Sequence, residues 1–278
     1  MDEPLPPGLY VVATPIGNLA DLSPRAAETL RRADRILAED KRVSAKLLAH
    51  AGARAPMATY HDHTSEAERA AIVARLGTEA VALISDAGTP LISDPGYKLV
   101  RAARAAGHPV HTVPGPCAAV AALTLAGLPT DRFLFTGFLP PKEKARNDAI
   151  GEIAGIRATL ILYETGPRLA GTLAALAQGL GAREAAVARE ISKLHEECVT
   201  GTLAELAERY AGAARRGEIV IVVGPPAAGE GPSESDLDAA LGEALARLSP
   251  SRAAAEVAAR LGVPRKRAYA RALQLAAQ

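Results

Sequence analysis

Short runs of apolar and β-branched residues alternate with longer helical segments over most of the chain. In the first part the apolar runs are Leu9–Ala13, Arg35–Ala38, Val81–Ser85 and Val110–Val113. The segments between them are rich in Ala, Leu and Arg and are long enough to form helices. Parallel strands are buried on both faces and are joined by long crossovers, usually helices. The alternation therefore predicts an α/β fold with a parallel sheet.

A proline-rich turn at residues 113–116 ends this first series. After a helix predicted at Cys117–Ala126, a second series of strands is predicted at Phe133–Thr136, Thr159–Tyr163, Ala185–Arg189 and Ile219–Val223. The Gly- and Pro-rich stretch that follows is typical of a flexible linker. We therefore predict an N-terminal α/β domain (1–115), a second α/β domain (116–224), a linker (225–235) and a helical extension (236–278).

Net charge and cysteine content narrow the class of protein. The chain has 278 residues and a formal net charge of +1, so a nucleic-acid partner would have to be bound by a local patch. Its two cysteines are too few for a disulfide framework, which indicates a reducing, cytoplasmic location. No signal-peptide pattern is visible, and apolar runs such as Ala158–Tyr163 are too short to span a membrane.

The strongest local charge lies at the C-terminal end of the chain. Residues 249–278 contain one acid, Glu256, against six basic residues: Arg252, Arg260, Arg265, Lys266, Arg267 and Arg271. On charge alone, both a nucleic-acid-binding patch and a solvated pair of helices are compatible with this pattern.

Three helix starts are legible in the sequence. Ser23, followed by a proline, predicts an N-cap, and Ser65 with Glu68 predicts a capping box. Asp94 is predicted as the N-cap of a helix at Tyr97–Ala106, with the proline after it in the first turn.

Standard phosphate and metal motifs are absent from the sequence. Gly179 and Gly181 begin a Gly-x-Gly pattern, but Glu184 stands where a third glycine is required. The His61-Asp62-His63 triplet has no further ligand at a suitable spacing, so a polar loop is favoured and no metal site is predicted.

Unusual residues instead collect where the predicted strands end. These loops are Thr14–Asn18, Glu39–Arg42, Ser85–Gly96, Tyr163–Arg168 and Arg189–Lys193. Ligands of open α/β sheets bind beyond the carboxyl ends of the strands. One such loop could be a simple turn, but five together indicate a ligand site.

The chain also combines six motifs in a fixed order. They are Ala13–Leu19 (ATPIGNL), Ala38–Asp40 (AED), Ser85–Gly96 (SDAGTPLISDPG), Val113–Pro116 (VPGP), Gly137–Pro140 (GFLP) and Arg189–Lys193 (REISK). This combination resembles the ribosomal RNA small subunit methyltransferase I family, a branch of the tetrapyrrole methylases. The similarity runs from residue 8 to about residue 224, and the basic tail is similar to the C-terminal extension of that family.

The resemblance implies two α/β domains of the tetrapyrrole methylase type (class III S-adenosylmethionine methyltransferases) and a small helical extension. S-adenosylmethionine would lie in a cleft between the domains, usually in a homodimer. The cofactor-binding residues implied are Pro15, Gly17, Asp86, Gly88, Thr89, Pro90, Ile92, Cys117, Ala118, Tyr163, Ala188 and Glu218. Residues 88–90 match a Gly-Asp-Pro loop of the superfamily, with Thr in place of Asp.

The reaction implied is methylation of the ribose 2'-hydroxyl of a cytidine in 16S rRNA. Alignment and electrostatics would supply most of the catalysis, but the hydroxyl must still lose a proton. Asp40, Glu164 and Lys193 end three different strands and are the candidates for accepting this proton or orienting the ribose. The alternative for each candidate is an ion pair within its loop, with Arg42, Arg168 or Glu190.

The implied partner is 16S rRNA or the small ribosomal subunit. The basic residues expected to contact RNA phosphates are Lys142, Lys144, Arg146, Arg265, Lys266 and Arg267. Two other functions stay open at this point. One is a methyltransferase of the same fold acting on a tetrapyrrole or another small molecule. The other is a nucleic-acid-binding protein without catalysis.

Overall fold

The computed structural model of the protein describes residues 4–212, 217–226 and 234–276. The strands are β1 (Gly8–Val12), β2 (Arg35–Ala38), β3 (Met57–Thr59), β4 (Ala80–Leu83), β5 (Val110–Val113), β6 (Phe133–Phe138), β7 (Thr159–Thr165), β8 (Glu184–Arg189), β9 (Glu197–Thr202) and β10 (Glu218–Val223). The helices are α1 (Pro24–Arg32), α2 (Lys41–Ala51), α3 (Glu66–Arg75), α4 (Tyr97–Ala105), α5 (Ala118–Leu125), α6 (Glu143–Ala154), α7 (Leu169–Leu180), α8 (Leu203–Tyr210), α9 (Glu234–Leu245), α10 (Pro250–Leu261) and α11 (Arg265–Ala276).

The first five strands form a parallel sheet in the order β3-β2-β4-β1-β5. Alternate residues of the central strands enter two different apolar clusters: Val12 packs in one, and Leu9 and Val81 pack in the other. Side chains of successive strand residues point to opposite faces, so both faces of this sheet are covered. The predicted parallel α/β arrangement is confirmed here, and β4 lies at its centre.

The remaining strands form a second sheet in the order β6-β7-β10-β8-β9. Its core includes Leu160 to Leu162 of β7, whose side chains are fully buried. Strands β6 and β7 run parallel, with a bulge between Phe135 and Gly137. Gly137, at this bulge, has a φ of +68°, a conformation that suits glycine.

The three C-terminal helices have their own small core. Leu241, Val257 and Ala268, one from each helix, are completely buried in this cluster. The side chain of Arg271 in α11 donates to Asp238 in α9 at 2.6 Å, which fixes the third helix against the first. The predicted helical extension is therefore confirmed. Within the described ranges, no helix is long and apolar enough to cross a bilayer.

Contacts divide the chain into two compact units, and each unit combines segments that are separated in sequence. The first contains the chain up to Leu125 together with Ala188–Cys198 and Gly217–Val220, and the second contains the other segments. The end of β8 with the segment that follows it, and the start of β10, therefore belong to the first unit although both strands are part of the second sheet. The predicted linker falls mainly on residues 227–233, which lie outside the described residues; α9 already begins at Glu234.

Local capping was predicted correctly at two helices and incorrectly at a third. The Ser23 hydroxyl caps α1, and Ser65 with Glu68 forms the capping box of α3. The N-cap of α4, however, is Gly96, with no side-chain hydrogen bond, so the prediction for Asp94 and its proline was wrong. The Asp94 side chain instead forms a hydrogen bond with Ser85, which follows β4. The short edge strand β3 and strand β9 were not predicted.

Candidate active site

The loop after β4 is hydrogen-bonded to the loops on both sides of it in the first sheet. Toward β1, the Thr14 amide donates to the Gly88 carbonyl at 2.8 Å, and the Gly88 amide donates to the Thr14 carbonyl at 3.1 Å. Toward β2, the Asp40 amide donates to Asp86 Oδ1 at 3.1 Å. Because β4 lies between β1 and β2, the sheet order brings together loops that are far apart in sequence.

Thr89 joins this loop to the turn that precedes α5. Its hydroxyl donates to the Pro116 carbonyl at 2.9 Å. A hydroxyl can donate this bond, whereas an ionised Asp at the same position could only accept. The threonine therefore has a structural role of its own, and the bond holds Cys117 and Ala118 beside the loop after β4.

Glycines allow the backbone segments to approach closely at these strand ends. Gly88 has a φ of +83°, and a Cβ added there would lie 3.2 Å from Ile16 Cγ2. A Cβ added at Gly115 would lie 3.0 Å from Ala13 Cβ. A larger side chain at either position would occupy the space between the loops. The two glycines thus maintain a small cradle of backbone at the carboxyl ends of the strands.

The segment after β8 packs against the loop after β1. The Ser192 hydroxyl donates to the Asp21 carboxylate, and the aliphatic part of Lys193 covers Gly17, where an added Cβ would collide with Lys193 Cε. Glu190 and Ser192 both have positive φ, a conformation that costs a non-glycine residue free energy and is concentrated at functional sites. Gly17 and Lys193, two predicted site residues, are therefore in direct contact.

A half-buried carboxylate that the sequence assigned to a helix cap belongs to this region. Burial, reinforced by the negative charge of Glu39, raises the pKa of Asp94 to about 6. Asp86 and Glu218 contribute in the same direction, and a hydrogen bond with Ser85 opposes them. Burial also raises the pKa of Glu39. Glu39 and Asp94 are both evident in the sequence, but they lie close together only because of the strand order of the sheet.

Asp40 caps α2 and forms an ion pair with its neighbour. Asp40 Oδ1 accepts the Arg42 amide at 2.8 Å, and Arg42 Nη2 lies 3.1 Å from Asp40 Oδ2. The hydrogen bond from the Arg42 side chain holds the pKa of Asp40 below its usual value. Lys193 forms an ion pair of the same local kind, with Nζ 3.1 Å from Glu190 Oε1. The ion pairs given as alternatives in the sequence analysis are present for both residues.

Glu164 is completely buried, and both of its carboxylate oxygens are occupied. Oε1 accepts the Thr165 amide at 2.8 Å, Oε2 accepts the Thr172 hydroxyl at 2.6 Å, and Arg168 Nε lies 3.3 Å from Oε1. These two hydrogen bonds and the ion pair with Arg168 compensate the cost of burying this charge. The ion pair with Arg168 that was considered as its alternative role is therefore also present.

The other predicted cofactor residues lie at several positions. Pro15 and Pro90 are buried and flank the Thr14–Gly88 hydrogen bonds, Ile92 is 37% exposed, Ala188 is buried in β8, and Glu218 is exposed at the first residue of β10. Tyr163 belongs to the second compact unit, where its ring contacts Phe135 and Phe138 edge to face. Within the part of the chain that the structure describes, no cluster of His, Cys, Asp and Glu is arranged to hold a metal ion.

The predicted RNA-binding residues form two groups. Lys142 and Lys144 are exposed at the start of α6, whereas Arg146 is half-buried. The second group, Arg265, Lys266 and Arg267, is exposed in the first turn of α11. Of the other basic side chains of the extension, Arg260 and Arg271 form ion pairs between helices, and Arg247, which follows α9, forms one with Glu256 of α10. The second group carries no ion pair among the described residues.

Comparison with known proteins gives consistent matches over the whole chain. Residues 8–207 match the family model of the tetrapyrrole (corrin/porphyrin) methylases, and residues 231–276 match that of the RsmI C-terminal HTH domain. The chain is similar to the ribosomal RNA small subunit methyltransferase I of Erythrobacter litoralis, with 55% identity over 98% of this chain and 97% of the relative. It is 48% identical to the protein of the same name from Mesorhizobium japonicum, over 98% of this chain and 94% of the relative.

Solved structures show the same fold at lower sequence identity. Diphthine synthase superposes with a TM-score of 0.62 and 15% identity, covering 78% of this chain and 89% of that one. Uroporphyrin-III-C-methyltransferase from Thermus thermophilus superposes with a TM-score of 0.55 and 24% identity, covering 78% and 93%. The family models and the full-length relatives place the chain in the tetrapyrrole methylases and, within these, in the ribosomal RNA small subunit methyltransferase I family.

Proposed function

We propose that the protein transfers a methyl group from S-adenosylmethionine to the ribose 2'-hydroxyl of a cytidine in 16S rRNA. The observation that carries this proposal is 55% identity over 98% of the chain to a relative named as a ribosomal RNA small subunit methyltransferase. The family-model matches at residues 8–207 and 231–276 cover the strand-end loops and the C-terminal extension. We further propose that the enzyme is a homodimer and acts in the cytoplasm, where its RNA substrate is found.

The loops of the first sheet fit a compact cofactor of this kind. A Cβ at Gly88 or Gly115 would press on Ile16 or Ala13, so the two glycines let these backbone segments pack closely at the carboxyl ends of the strands, where a ligand would bind. Nearby carboxylates such as Asp86 and Asp94 suit a ligand with cationic groups. When bound, S-adenosylmethionine supplies an activated methyl group on a sulfonium. We assign Pro15, Gly88 and Thr89 to holding it, with the remaining predicted cofactor residues around them.

The three predicted catalytic residues have different surroundings, which suggests different tasks. The side chains of Asp40 and Lys193 are 34% and 40% exposed, so both can meet a substrate. Because Arg42 lowers the pKa of Asp40, we expect this carboxylate to accept a hydrogen bond from the ribose more readily than its proton. Lys193 can donate to the same group. We propose that both residues orient the ribose and that Glu164 acts without contacting the substrate.

RNA contact is proposed for Lys142, Lys144 and the first turn of α11. These cations are exposed, and in the described chain none of them is neutralised by an ion pair. Such residues bind phosphates and set register without reading the bases. Aromatic residues make up only 3% of the chain, so extensive stacking on bases is not expected.

Transfer of labelled methyl groups tests the proposal directly. The protein is incubated with labelled S-adenosylmethionine and, in parallel, with isolated small subunits, naked 16S rRNA or a porphyrinoid precursor. We expect label in one of the RNA samples, at a ribose 2'-oxygen of cytidine. Label in the porphyrinoid alone would refute the RNA assignment, and binding of RNA without any transfer would refute the enzymatic one.

A further inference from the structure

The basic loop, defined as residues 139–146, comprises the connection between β6 and α6 and the first turn of α6. Its first residue, Leu139, has a side chain only 5% exposed, whereas Lys142 and Lys144 project into solvent. The Arg146 amide donates to the Lys142 carbonyl at 2.9 Å, so the start of α6 moves together with Lys142. The positions of both lysines therefore depend on how the chain is held at Leu139.

Arg168 holds the chain at that point. Arg168 Nη2 donates to the Leu139 carbonyl at 2.7 Å, and its Nε lies 3.3 Å from Glu164 Oε1. Leu139 and Arg168 are 29 residues apart in sequence, so this bond connects the loop after β6 with the end of β7. The planar guanidinium has donors in fixed directions, and it can contact both acceptors at once.

Glu164 holds the Arg168 side chain in place. This carboxylate is fully buried and accepts from Thr165 and Thr172 as well as facing Arg168. A carboxylate bound by several donors in a buried position has little freedom to move. The core of the second sheet thus fixes the orientation of the guanidinium, and the hydrogen bond from Arg168 to the Leu139 carbonyl in turn fixes the basic loop.

The position of the lysines matters more for RNA binding than for stability. An exposed lysine adds little to folding free energy, but a phosphate contact requires the ammonium group to lie where the RNA backbone passes. Without the bond to Arg168, the Leu139 carbonyl would lose its side-chain donor and the lysines would sample more positions. The lost contacts would weaken binding of RNA and leave the cofactor loops of the other compact unit unchanged.

We propose that Arg168 is a positioning residue that sets the affinity for RNA by fixing the basic loop, with Glu164 as its buried anchor. This inference rests on the proposed function. It also assigns a role to Glu164 that does not require contact with the substrate. Lys142 and Lys144 bind the phosphates, and Arg168 acts through them.

The test compares Arg168→Gln and Arg168→Lys with the control Arg157→Gln, an exposed arginine just before β7. Binding of a 16S rRNA fragment is measured by fluorescence anisotropy, turnover by methyl transfer, and S-adenosylmethionine binding by calorimetry. For Arg168→Gln we expect Kd and KM for RNA to rise about five- to tenfold, the effect of losing well-placed phosphate contacts. The cofactor Kd and kcat should stay within about twofold of wild type, as expected for uniform binding.

The conservative variant separates positioning from simple support of the fold. Lysine can reach only one of the two acceptors, so Arg168→Lys should give an intermediate RNA affinity, and the control should match wild type. Lower thermal stability with unchanged RNA affinity in either Arg168 variant would overturn the proposal, as would a fall in kcat at constant KM. If Arg168→Gln does not fold, Arg168→Lys decides alone. RNA binding by wild type without methyl transfer would refute the proposed function and leave this inference standing.

Discussion

Replacing Asp94 by asparagine should stabilise the free protein at neutral pH, although it removes a residue of the candidate site. Burial raises the pKa of Asp94 to about 6, with contributions from Glu39, Glu218 and Asp86 against one hydrogen bond from Ser85. In the unfolded chain the same carboxyl titrates near 3.8. The folded state therefore binds this proton more tightly than the unfolded state.

The sign and size of the effect follow from this difference. The stabilising contribution of the protonated carboxyl is complete below pH ~4 and is lost as the pH rises through ~6. Fully realised, a difference of this size corresponds to roughly 3 kcal/mol. Asp94 retains some contact with water, so we expect Asp94→Asn to gain on the order of 1–2 kcal/mol over wild type at pH 8, and much less at pH 4.

Urea denaturation followed by circular dichroism at several pH values between 4 and 8 measures this difference. Asp238→Asn is the matched control, because the hydrogen bond from Arg271 lowers the pKa of Asp238. Because the folded-state pKa of Asp238 lies below 3.8, its loss of stability should stay nearly constant across this pH range and should shrink only at lower pH. A stability difference for Asp94→Asn that is constant across the range, or a less stable variant at pH 8, would refute the electrostatic account of this loop.

Three further predictions concern the loops and the extension. Thr89→Val should lower the free energy of unfolding by about 1 kcal/mol and weaken cofactor binding, because the Pro116 carbonyl loses its donor; unchanged values in denaturation and calorimetry would contradict this. Gly88→Arg should abolish S-adenosylmethionine binding in calorimetry by filling the cradle, and wild-type affinity would place the cofactor elsewhere. Changing Arg265, Lys266 and Arg267 together to glutamine should reduce the slope of log Kd for RNA against log salt concentration by about 2. The same change at the exposed Lys46 and Arg54 should leave the slope unaltered. Equal slopes for the two variants would indicate that the extension has only a structural role.

Much of the fold was predictable because it depends on local pattern. Strand β2 has the predicted bounds, since a short apolar run can be buried on both faces of a parallel sheet with little help from its context. Strand β5 also has the predicted bounds, although its two middle residues are exposed at the sheet edge. The capping box at Ser65 is a contact between residues three apart, so sequence spacing suffices to specify it. Strand β3 was not predicted, because a strand of three residues at a sheet edge is too short to show a periodic pattern of apolar residues.

The candidate site was predictable as a set of loops but not as a set of contacts. The density of Gly, Pro and Asp in Ser85–Gly96 pointed to the loop after β4, and the structure places that loop at the centre of the first sheet. Its hydrogen bonds to Thr14, Asp40 and Pro116 could not be anticipated, because they depend on strand order. The helix-cap prediction for Asp94 failed for the same reason: local sequence rules do not include neighbours from other strands.

The sequence by itself determined the α/β class, the helical extension, the family and the loops that form the candidate site, since each of these depends on local periodicity or on motifs that survive in order along the chain. Only the tertiary structure decided what the individual side chains do. In the folded protein the pKa of Asp94 is raised and Thr89 donates to the Pro116 carbonyl. Glu164 is buried and paired with Arg168, and Lys193 packs against Gly17. These roles arise from residues brought together across the fold, and electrostatics, burial and hydrogen bonding act through distance in space rather than distance in sequence.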